Sequence, residues 1–401
     1  MIIDIKNIHN GKVFKIKDKN KADIFHLLCT DNNISRKSVG RILNIRPATT
    51  SNLVQELVDD KLVVESDKMN SKGRGRPEKS LTVNYDIFLC IAVYVDSYNL
   101  KGVLLNFNEE ILYSHSVNIS EDMDNDFFIS KTVNLIENIL SYVPETSELI
   151  GIGFSLTGYL DKDNKILTYT SRWPKINNLQ LGIIEKKFGY EVRVHQEVNT
   201  LLKYFLLSDS NLKIGGTAIL HWGYGIGAGY SMEGNILYPS TGGALEIGHL
   251  QFIYDNPIKC KCGAYGCLET VAAAWALKDE LDILLPNTVI SEKEYTSIIS
   301  SNELHHIPAV KRAIEYMAVA LNYIYTLFGP QRIILSGPFF NNENIFSDVA
   351  DKFTKIIPKH CCSNVELKKV DSIFGCEVFG CTYDLFEEKL QKKMTSQYNW
   401  K

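Results

Sequence analysis

The chain has 401 residues, of which 45% are hydrophobic and 22% charged, with a formal net charge of −4. That length exceeds a single core and implies two or three domains, and the balance is that of a water-soluble globular protein. No apolar run is long enough for a membrane span, the lysine-rich N-terminus has no signal-peptide core, and nine cysteines are an odd number; no membrane association and a reducing cytoplasm are therefore expected, rather than a disulfide framework.

The charge is unevenly divided. Residues 1–84 hold 16 Lys and Arg against 10 Asp and Glu, a net +6, whereas the remainder holds 27 against 37, a net −10. A basic head on an acidic body suggests nucleic-acid contact, although solvated basic surface gives the same sum. Within the head, Ile24, Leu27 and Leu28 recur at helical spacing over residues 21–30. Ser35 is a good cap for a second helix running through Leu43, Asn44 suits the left-handed residue that ends it, and Pro47 suits the first turn of a third. Thr50, Leu53, Val54, Leu57 and Val58 then form an apolar stripe, opposite Ala48, Thr49, Ser51, Asn52 and Gln55. Small and polar side chains can approach base edges in a major groove; the bland reading is a plain three-helix unit. Leu62-Val63-Val64-Glu65 and Ser80-Leu81-Thr82-Val83 read as strands, and the loop between them carries Arg74 and Arg76 among glycines. Such arginines fit a narrow minor groove, while a Gly/Arg loop also serves as a linker. The order of helix, turn, proline-started helix, hairpin and basic wing predicts a winged helix-turn-helix.

From Asp86 onward the pattern is α/β, with apolar strands at residues 90–95, 150–155, 217–221 and 332–335 alternating with helical stretches. Residues 242–269 bring together His249, Cys260, Cys262 and Cys267, flanked by Glu246 and Glu269, with Gly263 and Gly266 between the last two thiols. One imidazole and three thiolates suit a closed tetrahedral zinc site, against buried free thiols as the alternative. Ile314, Met317, Ala318, Leu321, Ile324 and Tyr325 form a helical stripe, read as core or dimer contact. A charged helix closes the chain, and residues 394–401 are expected to fray.

These motifs resemble the ROK family (repressors, open reading frames and sugar kinases), specifically its repressor branch, from about Asn20 to the end of the chain. SRKSVGRILNIRPATTSNLVQELVDDKLV resembles the family's DNA-reading unit, and EIGH…CKCGAYGCLE its zinc and sugar signature. The resemblance implies a winged helix-turn-helix at 1–84 followed by a two-lobed actin-like (sugar kinase or ribonuclease H-like) body. The first lobe would span 85–200, with a C-terminal helix near 376–393 packing back on it; the second, 201–375, would hold the zinc site and a sugar cleft. The DNA-contacting residues would be Arg46, Pro47, Ala48, Thr49, Ser51, Asn52, Gln55, Arg74 and Arg76. Arg46 stands where the family usually places a capping Ser, exchanging helix stability for a phosphate contact.

In the family's kinases the first strand ends in Asp-x-Gly-Gly-Thr, which handles ATP phosphates; the aligned run here is Tyr94-Val95-Asp96-Ser97-Tyr98. The glycine turn at residues 223–229 survives with Tyr224 in place of Thr, and Leu335-Ser336-Gly337-Pro338 replaces the adenosine-binding glycines. Glu197 of His195-Gln196-Glu197-Val198-Asn199 stands at a degenerate kinase base position, one methylene longer than the usual Asp. The resemblance thus implies no catalysis and a sugar or sugar-phosphate effector held by Gln196, Glu197, Glu246, His249 and Glu269, although residues 195–199 also read as a surface turn at a strand end. Trp173 would stack on the sugar or anchor the core, and Arg172 would read a phosphate or carboxylate. The implied function is a sugar-responsive repressor of carbohydrate-utilisation genes, acting on operator DNA as a homodimer or tetramer with one structural zinc per chain. The alternatives are an ATP-dependent sugar kinase with a DNA-binding head and a repressor gated by a protein partner.

Overall fold

The structure, a computed structural model, describes residues 16–31, 33–66, 78–96, 99–120, 122–238, 245–281, 292–358, 365–370 and 375–395. The expected wing arginines, Arg74 and Arg76, lie outside the described residues.

The head comprises α1 (Ile16–Thr30), β1 (Ile34–Ser35), α2 (Arg36–Ile42), α3 (Pro47–Asp59), β2 (Val63–Ser66) and β3 (Ser80–Val83), its strands ordered β1-β3-β2 and antiparallel. Ser35 caps α2 by accepting the Ser38 N–H, Asn44 adopts a left-handed φ of 53°, and Pro47 opens α3. These three local signals fix the tight α2–α3 turn. Thr50, Leu53, Val54 and Leu57 are buried, with Val58 half-buried beside them. Among the described residues α1 is already helical at Ile16, ahead of the apolar period visible near residue 21. Its polar start is held across to α3 by Lys17–Glu56 at 2.6 Å and Lys21–Asp60 at 3.0 Å, contacts that periodicity cannot register.

The first lobe contains β4 (Phe88–Asp96), β5 (Asn99–Asn106), β6 (Ile111–Asn118), α4 (Asn125–Leu140), β7 (Glu148–Leu156), β8 (Tyr159–Asp161), β9 (Ile166–Tyr169), β10 (Asn177–Gln180), α5 (Gly182–Phe188) and β11 (Glu191–Gln196), and α6 (Glu197–Ser208) follows at the junction of the lobes. Its main sheet has the order β11-β7-β4-β5-β6, with β11, β7 and β4 parallel. Both faces of β4 are covered, as a central strand requires. Leu89, Ile91, Val93 and Val95 join Phe128, Leu135 and Ile139 of α4, whereas Phe88, Cys90, Ala92 and Tyr94 join the C-terminal helix and the head.

The second lobe contains β12 (Gly216–Trp222), β13 (Ile226–Met232), β14 (Asn235–Ile236), α7 (Glu269–Ala272), α8 (Lys278–Leu281), α9 (Glu292–Ser301), α10 (Pro308–Phe328), β15 (Arg332–Ser336), α11 (Glu343–Ile356) and β16 (Glu366–Lys369), with sheet order β14-β13-β12-β15-β16. Ile314, Met317, Ala318, Leu321, Ile324 and Tyr325 of α10 are all buried in this lobe's core with Leu220, Trp222 and Ile333, so the stripe is core rather than a dimer contact. α6 covers the other face through Val198, Leu201 and Leu202 against Ile219 and Ile334.

The chain closes with α12 (Cys376–Met394), which lies on β7 and β4 and against α6. A Cβ at Gly153 would overlap the Cys381 carbonyl, and one at Gly380 would overlap the Thr200 carbonyl, so glycine permits both close approaches. Met394 is packed in the core rather than frayed, being 1% exposed. Phe107 links the head to the body, its ring centroid lying 6.2 Å from that of Phe25 and 6.4 Å from that of Phe386.

Candidate ligand cleft and metal centre

Strand β13 is followed, after β14, by a hairpin with few buried side chains. Between His249 and Cys267 only Cys260, Gly266 and Cys267 are buried. The bridges Gln251–Cys267 and Lys259–Tyr265 fold it back on itself, and Gly263 and Gly266 take φ of 92° and 74° at its turn. This brings together the four expected ligands: the donor atoms of His249, Cys260, Cys262 and Cys267 all lie within 4.8 Å of one another. Cys260 Sγ is 3.7 Å from His249 Nδ1, and Cys262 Sγ is 3.7 Å from Cys267 Sγ. A tetrahedral ion with Zn–S bonds of about 2.3 Å would have S···S edges of about 3.8 Å. The separation is also far beyond a disulfide bond, and the thiols are free. Burial pushes the Cys260 thiol up to about 11 and raises that of Cys267 as well, with adjoining thiols adding to it. These four residues can hold a metal ion.

The carboxylates stand beside this cage. Glu269, only 5% exposed at the start of α7, accepts the Ile226 N–H at 2.8 Å through Oε1 and faces Trp275 Nε1 at 3.4 Å through Oε2. Glu246 accepts from Gln196 Nε2 at 3.2 Å, and Gln196 Oε1 in turn accepts from Asn199 Nδ2 at 2.9 Å. Burial raises both carboxyl groups above their usual range; His249 partly offsets this for each, and the Gln196 hydrogen bond does so for Glu246. Gln196 and Asn199 are buried and Glu197 is half-buried at the N-terminus of α6, so residues 195–199 are an interior junction rather than a surface turn. The set can accept hydrogen bonds from several hydroxyls in a partly desolvated cleft, as a polyol requires.

Residues of both lobes meet at this candidate site. Besides Gln196 to Glu246, Tyr169 donates its hydroxyl to the Lys261 carbonyl at 3.1 Å, and the Arg172 guanidinium lies 5.3 Å from the centre of the Tyr224 ring. Trp173 is 1% exposed and 6.3 Å from Phe128, which makes it a core anchor rather than a stacking platform. Spacing did not point to Tyr169, Lys261, Asn199 or Trp275, because they come from four separate elements.

In the segments that the sequence resemblance aligned with phosphate-handling elements, the side chains pair with one another. Tyr94 and Asp96 are buried, and Asp96 pairs with Lys101 across the β4–β5 turn. In the glycine turn, His221 Nδ1 meets Ser336 Oγ at 3.2 Å, and a Cβ on Gly223 would stand 2.7 Å from His221 Nε2 and 3.4 Å from Pro338. The Trp222 ring stacks on Phe339 at 4.6 Å and 19°.

On the head, Arg46, Pro47, Ala48, Ser51, Asn52 and Gln55 are exposed on α3 and Thr49 is half-buried. Arg46 occupies the cap position without a side-chain cap hydrogen bond. One participant was not foreseen: Arg36 donates to Ser51 O and Oγ at 2.9 and 3.2 Å, to Gln55 Oε1 at 3.0 Å and to Glu65 Oε1 at 2.6 Å. It sits one residue after the Ser35 cap, a place with no sequence signature for reaching α3.

Among the described residues no helix is long and apolar enough to cross a membrane. A xylose repressor of Caldicellulosiruptor bescii is 25% identical over 85% of this chain and 88% of its own length. The crystal structure of a ROK family transcriptional regulator, a homologue of the E. coli MLC protein, superposes with a TM-score of 0.70 at 21% identity, covering 94% of this chain and 99% of that one. A ROK family glucokinase from Streptomyces griseus, crystallised with glucose and AMPPNP, shares the fold over 74% of this chain and 98% of its own, at TM-score 0.58 and 16% identity. The ROK family model matches residues 90–373, which include most of both main sheets and the whole metal hairpin; the chain belongs to the ROK family.

Proposed function

We infer that this protein is a sugar-responsive transcriptional repressor of carbohydrate-utilisation genes, acting in the cytoplasm. The observation that carries the reading is a pairing within one chain. An exposed polar face on α3 suits DNA, and a cleft lined by Gln196, Glu197, Glu246, His249 and Glu269 suits a sugar. The repressor and regulator among its relatives support it.

The head is assigned to residues 1–84, the first lobe to 85–200 with α12 packed back on it, and the second lobe to 201–375. Arg46, Pro47, Ala48, Thr49, Ser51, Asn52 and Gln55, with Arg74 and Arg76 of the wing, are assigned to operator DNA. A homodimer, or a tetramer of two dimers, would set two heads on half-sites one helical turn or a multiple apart. His249, Cys260, Cys262 and Cys267 would hold zinc, which with four protein ligands supplies a crosslink for the hairpin. His249 would then present its second ring nitrogen to a sugar hydroxyl.

The protein is not a kinase on this reading. The Asp96–Lys101 pair and the His221–Ser336 contact lie in or beside the segments aligned with the kinases' phosphate and adenosine elements, which supports this reading. Glu197 is left as a hydrogen-bonding partner. Sugar binding must favour the lobe arrangement that binds DNA differently; a tenfold preference supplies about 1.4 kcal/mol of coupling.

The test is a thermal-shift screen of zinc-loaded protein against sugars and sugar phosphates, with and without ATP, followed by DNA-binding titrations with each hit. A ligand that raises the midpoint without ATP and changes DNA affinity supports the reading. A shift that requires ATP, with ADP release, would make the protein a kinase. No shift with any sugar would leave control to a protein partner.

A further inference from the structure

The lobes also touch beside α6 and α12, where no candidate sugar-binding residue takes part. Tyr169, Gln196 and Arg172 cross from the first lobe toward the metal hairpin, Glu246 and the glycine turn. Lys162 crosses elsewhere: its Nζ lies 3.0 Å from the ring centre of Tyr238, which follows β14 of the second lobe. The charged groups that act on Lys162 are Lys203 of α6, Asp384 of α12 and Asp163 of its own turn, and Asp384 acts on the Tyr238 hydroxyl as well.

Each partner is held by its own lobe. Lys162 sits in the turn between β8 and β9. There Asp161 accepts the Asn164 N–H at 3.0 Å and Asn164 Nδ2 at 2.8 Å, and Lys165 takes a left-handed φ of 58°. The Lys165 carbonyl accepts the Leu181 N–H at 2.9 Å, and the Lys165 ammonium pairs with Glu185 of α5. On the other side Tyr238 directly follows Leu237, whose N–H donates to the Tyr230 carbonyl of β13 at 2.8 Å. A contact between groups already fixed costs little further ordering, so it can hold together the bodies that carry them. A cation over the face of a neutral ring is attracted by the ring's quadrupole. Burial and the Asp384 carboxylate push the Tyr238 hydroxyl up, so the ring stays neutral. Burial, with Lys203 adding to it, brings the Lys162 ammonium down to about 8, which leaves it mostly charged at neutral pH.

The setting gives the contact a consequence beyond adhesion. Lys203 and Asp384 are the ion pair that ties α6 to α12. If Tyr238 moves away with the second lobe, Lys162 loses its ring, and Asp384 is the larger of the two opposite charges that remain to attract it. The ammonium would then compete with Lys203 for that carboxylate. We propose that Lys162 and Tyr238 form an interlobe latch, which holds the lobes in the arrangement described and whose release is felt at the α6–α12 ion pair. The latch goes beyond the sugar-responsive reading and does not depend on which ligand enters the cleft.

Amide hydrogen exchange on the zinc-loaded full chain, without ligand, tests it. Lys162→Gln and Tyr238→Leu should each speed exchange about fivefold or more in peptides covering residues 159–169, 196–203 and 230–238, while residues 308–328 of α10 exchange as in the parent. Lys162→Arg and Tyr238→Phe keep a cation and a ring, and should stay within about twofold of the parent. The double variant of Lys162→Gln and Tyr238→Leu should exchange no faster than either single variant, because the two residues make one contact. Unchanged exchange in both single variants, or effects that add in the double variant, would overturn the latch. Equal acceleration in α10 would overturn it too, by showing a general loss of stability instead. None of these outcomes bears on the sugar-responsive reading, which ligand titration decides separately.

Discussion

Loss of one thiolate should loosen the metal hairpin without unfolding the lobe beneath it. Cys262→Ser is the suitable perturbation because Cys262 is half-buried, whereas Cys267 is fully buried and its replacement would mix metal loss with a packing defect. Between His249 and Cys267 the apolar support is thin: Phe252 and Ile253 are half-buried, while Tyr254, Ile258 and Tyr265 are 79%, 57% and 52% exposed. Even a fully buried side chain of this kind contributes about 1.5–3 kcal/mol. A structural zinc contributes about 10–16 kcal/mol of apparent binding free energy near pH 7, so the ion outweighs the local packing several-fold. Phe252 is the hairpin's contact with α10, through Tyr316 and Tyr323, while the buried side chains of α10 pack within the lobe, so the main unfolding transition should move little. The variant should lose zinc on dialysis, be cleaved by protease within residues 250–265, and bind sugar at least about tenfold more weakly, because Glu246, His249 and Glu269 flank the loop. Zinc analysis, limited proteolysis and calorimetry read the three effects. Zinc loss with unchanged sugar affinity would refute the role of the hairpin as support for the cleft.

Three further outcomes follow from particular contacts. Gly380→Ala drives a methyl into the Thr200 carbonyl and should cost about 1–3 kcal/mol, read as a lowered denaturant midpoint. Arg36→Ala should weaken specific DNA binding by about tenfold or more, since Ser51 and Gln55 lose the guanidinium that orients them; an unchanged operator-to-random-DNA ratio in a gel-shift titration would dismiss that role. Burial holds the His195 and His221 imidazoles down at about 3 and about 4, against about 6.5 when unfolded. Both are neutral in the folded protein above pH 6.5. As pH falls below 6.5 the unfolded chain takes up protons that the fold refuses, and stability declines by about 1.4 kcal/mol per pH unit for each His until its folded value is reached. Denaturant unfolding at pH 7.5 and 5 should show the loss, and His195→Gln should flatten the slope.

The parts legible in the sequence were those carried by neighbouring residues. Ser35, Asn44 and Pro47 act on their own backbone, and all three took the expected conformations. The donors His249 to Cys267 lie on one short hairpin, so their convergence needed only a turn. What was not legible depends on partners distant in the chain. Tyr169 and Lys261 are 92 residues apart and Lys203 and Asp384 are 181 apart, and neither pair has any spacing to betray it. The polar part of α1 from Ile16 to Asn20 was not legible for the same reason, since it is held by Glu56 and Asp60 of the third-helix region. Trp173 and residues 195–199 each allowed two readings, and burial decided between them.

The route from cleft to head is set by packing. Gln196 and Glu197 sit at the N-terminal end of α6, which packs along α12 and is tied to it by the Lys203–Asp384 pair. The other end of α12 reaches the head: Lys393 Nζ meets Asp60 Oδ1 at 3.0 Å, and Lys21 bridges Asp60 Oδ2 at 3.0 Å and the Lys393 carbonyl at 2.9 Å. Asp60 is the C-cap of α3, the helix assigned to the DNA, and the two lysines hold its carboxyl below the usual range against the opposing effect of burial. A shift of α6 on ligand closure would therefore reach α3 through one helix and an ion cluster of Lys393, Asp60, Lys21 and Glu56. Spatial continuity alone does not establish coupling; a changed response does. Asp60→Asn should leave sugar affinity and sugar-free DNA affinity within about threefold of the parent, because Asp60 touches neither ligand, while reducing the factor by which sugar alters DNA binding. A variant with the full sugar response would show that the signal passes elsewhere, through the Phe25–Phe107–Phe386 ring cluster or the dimer.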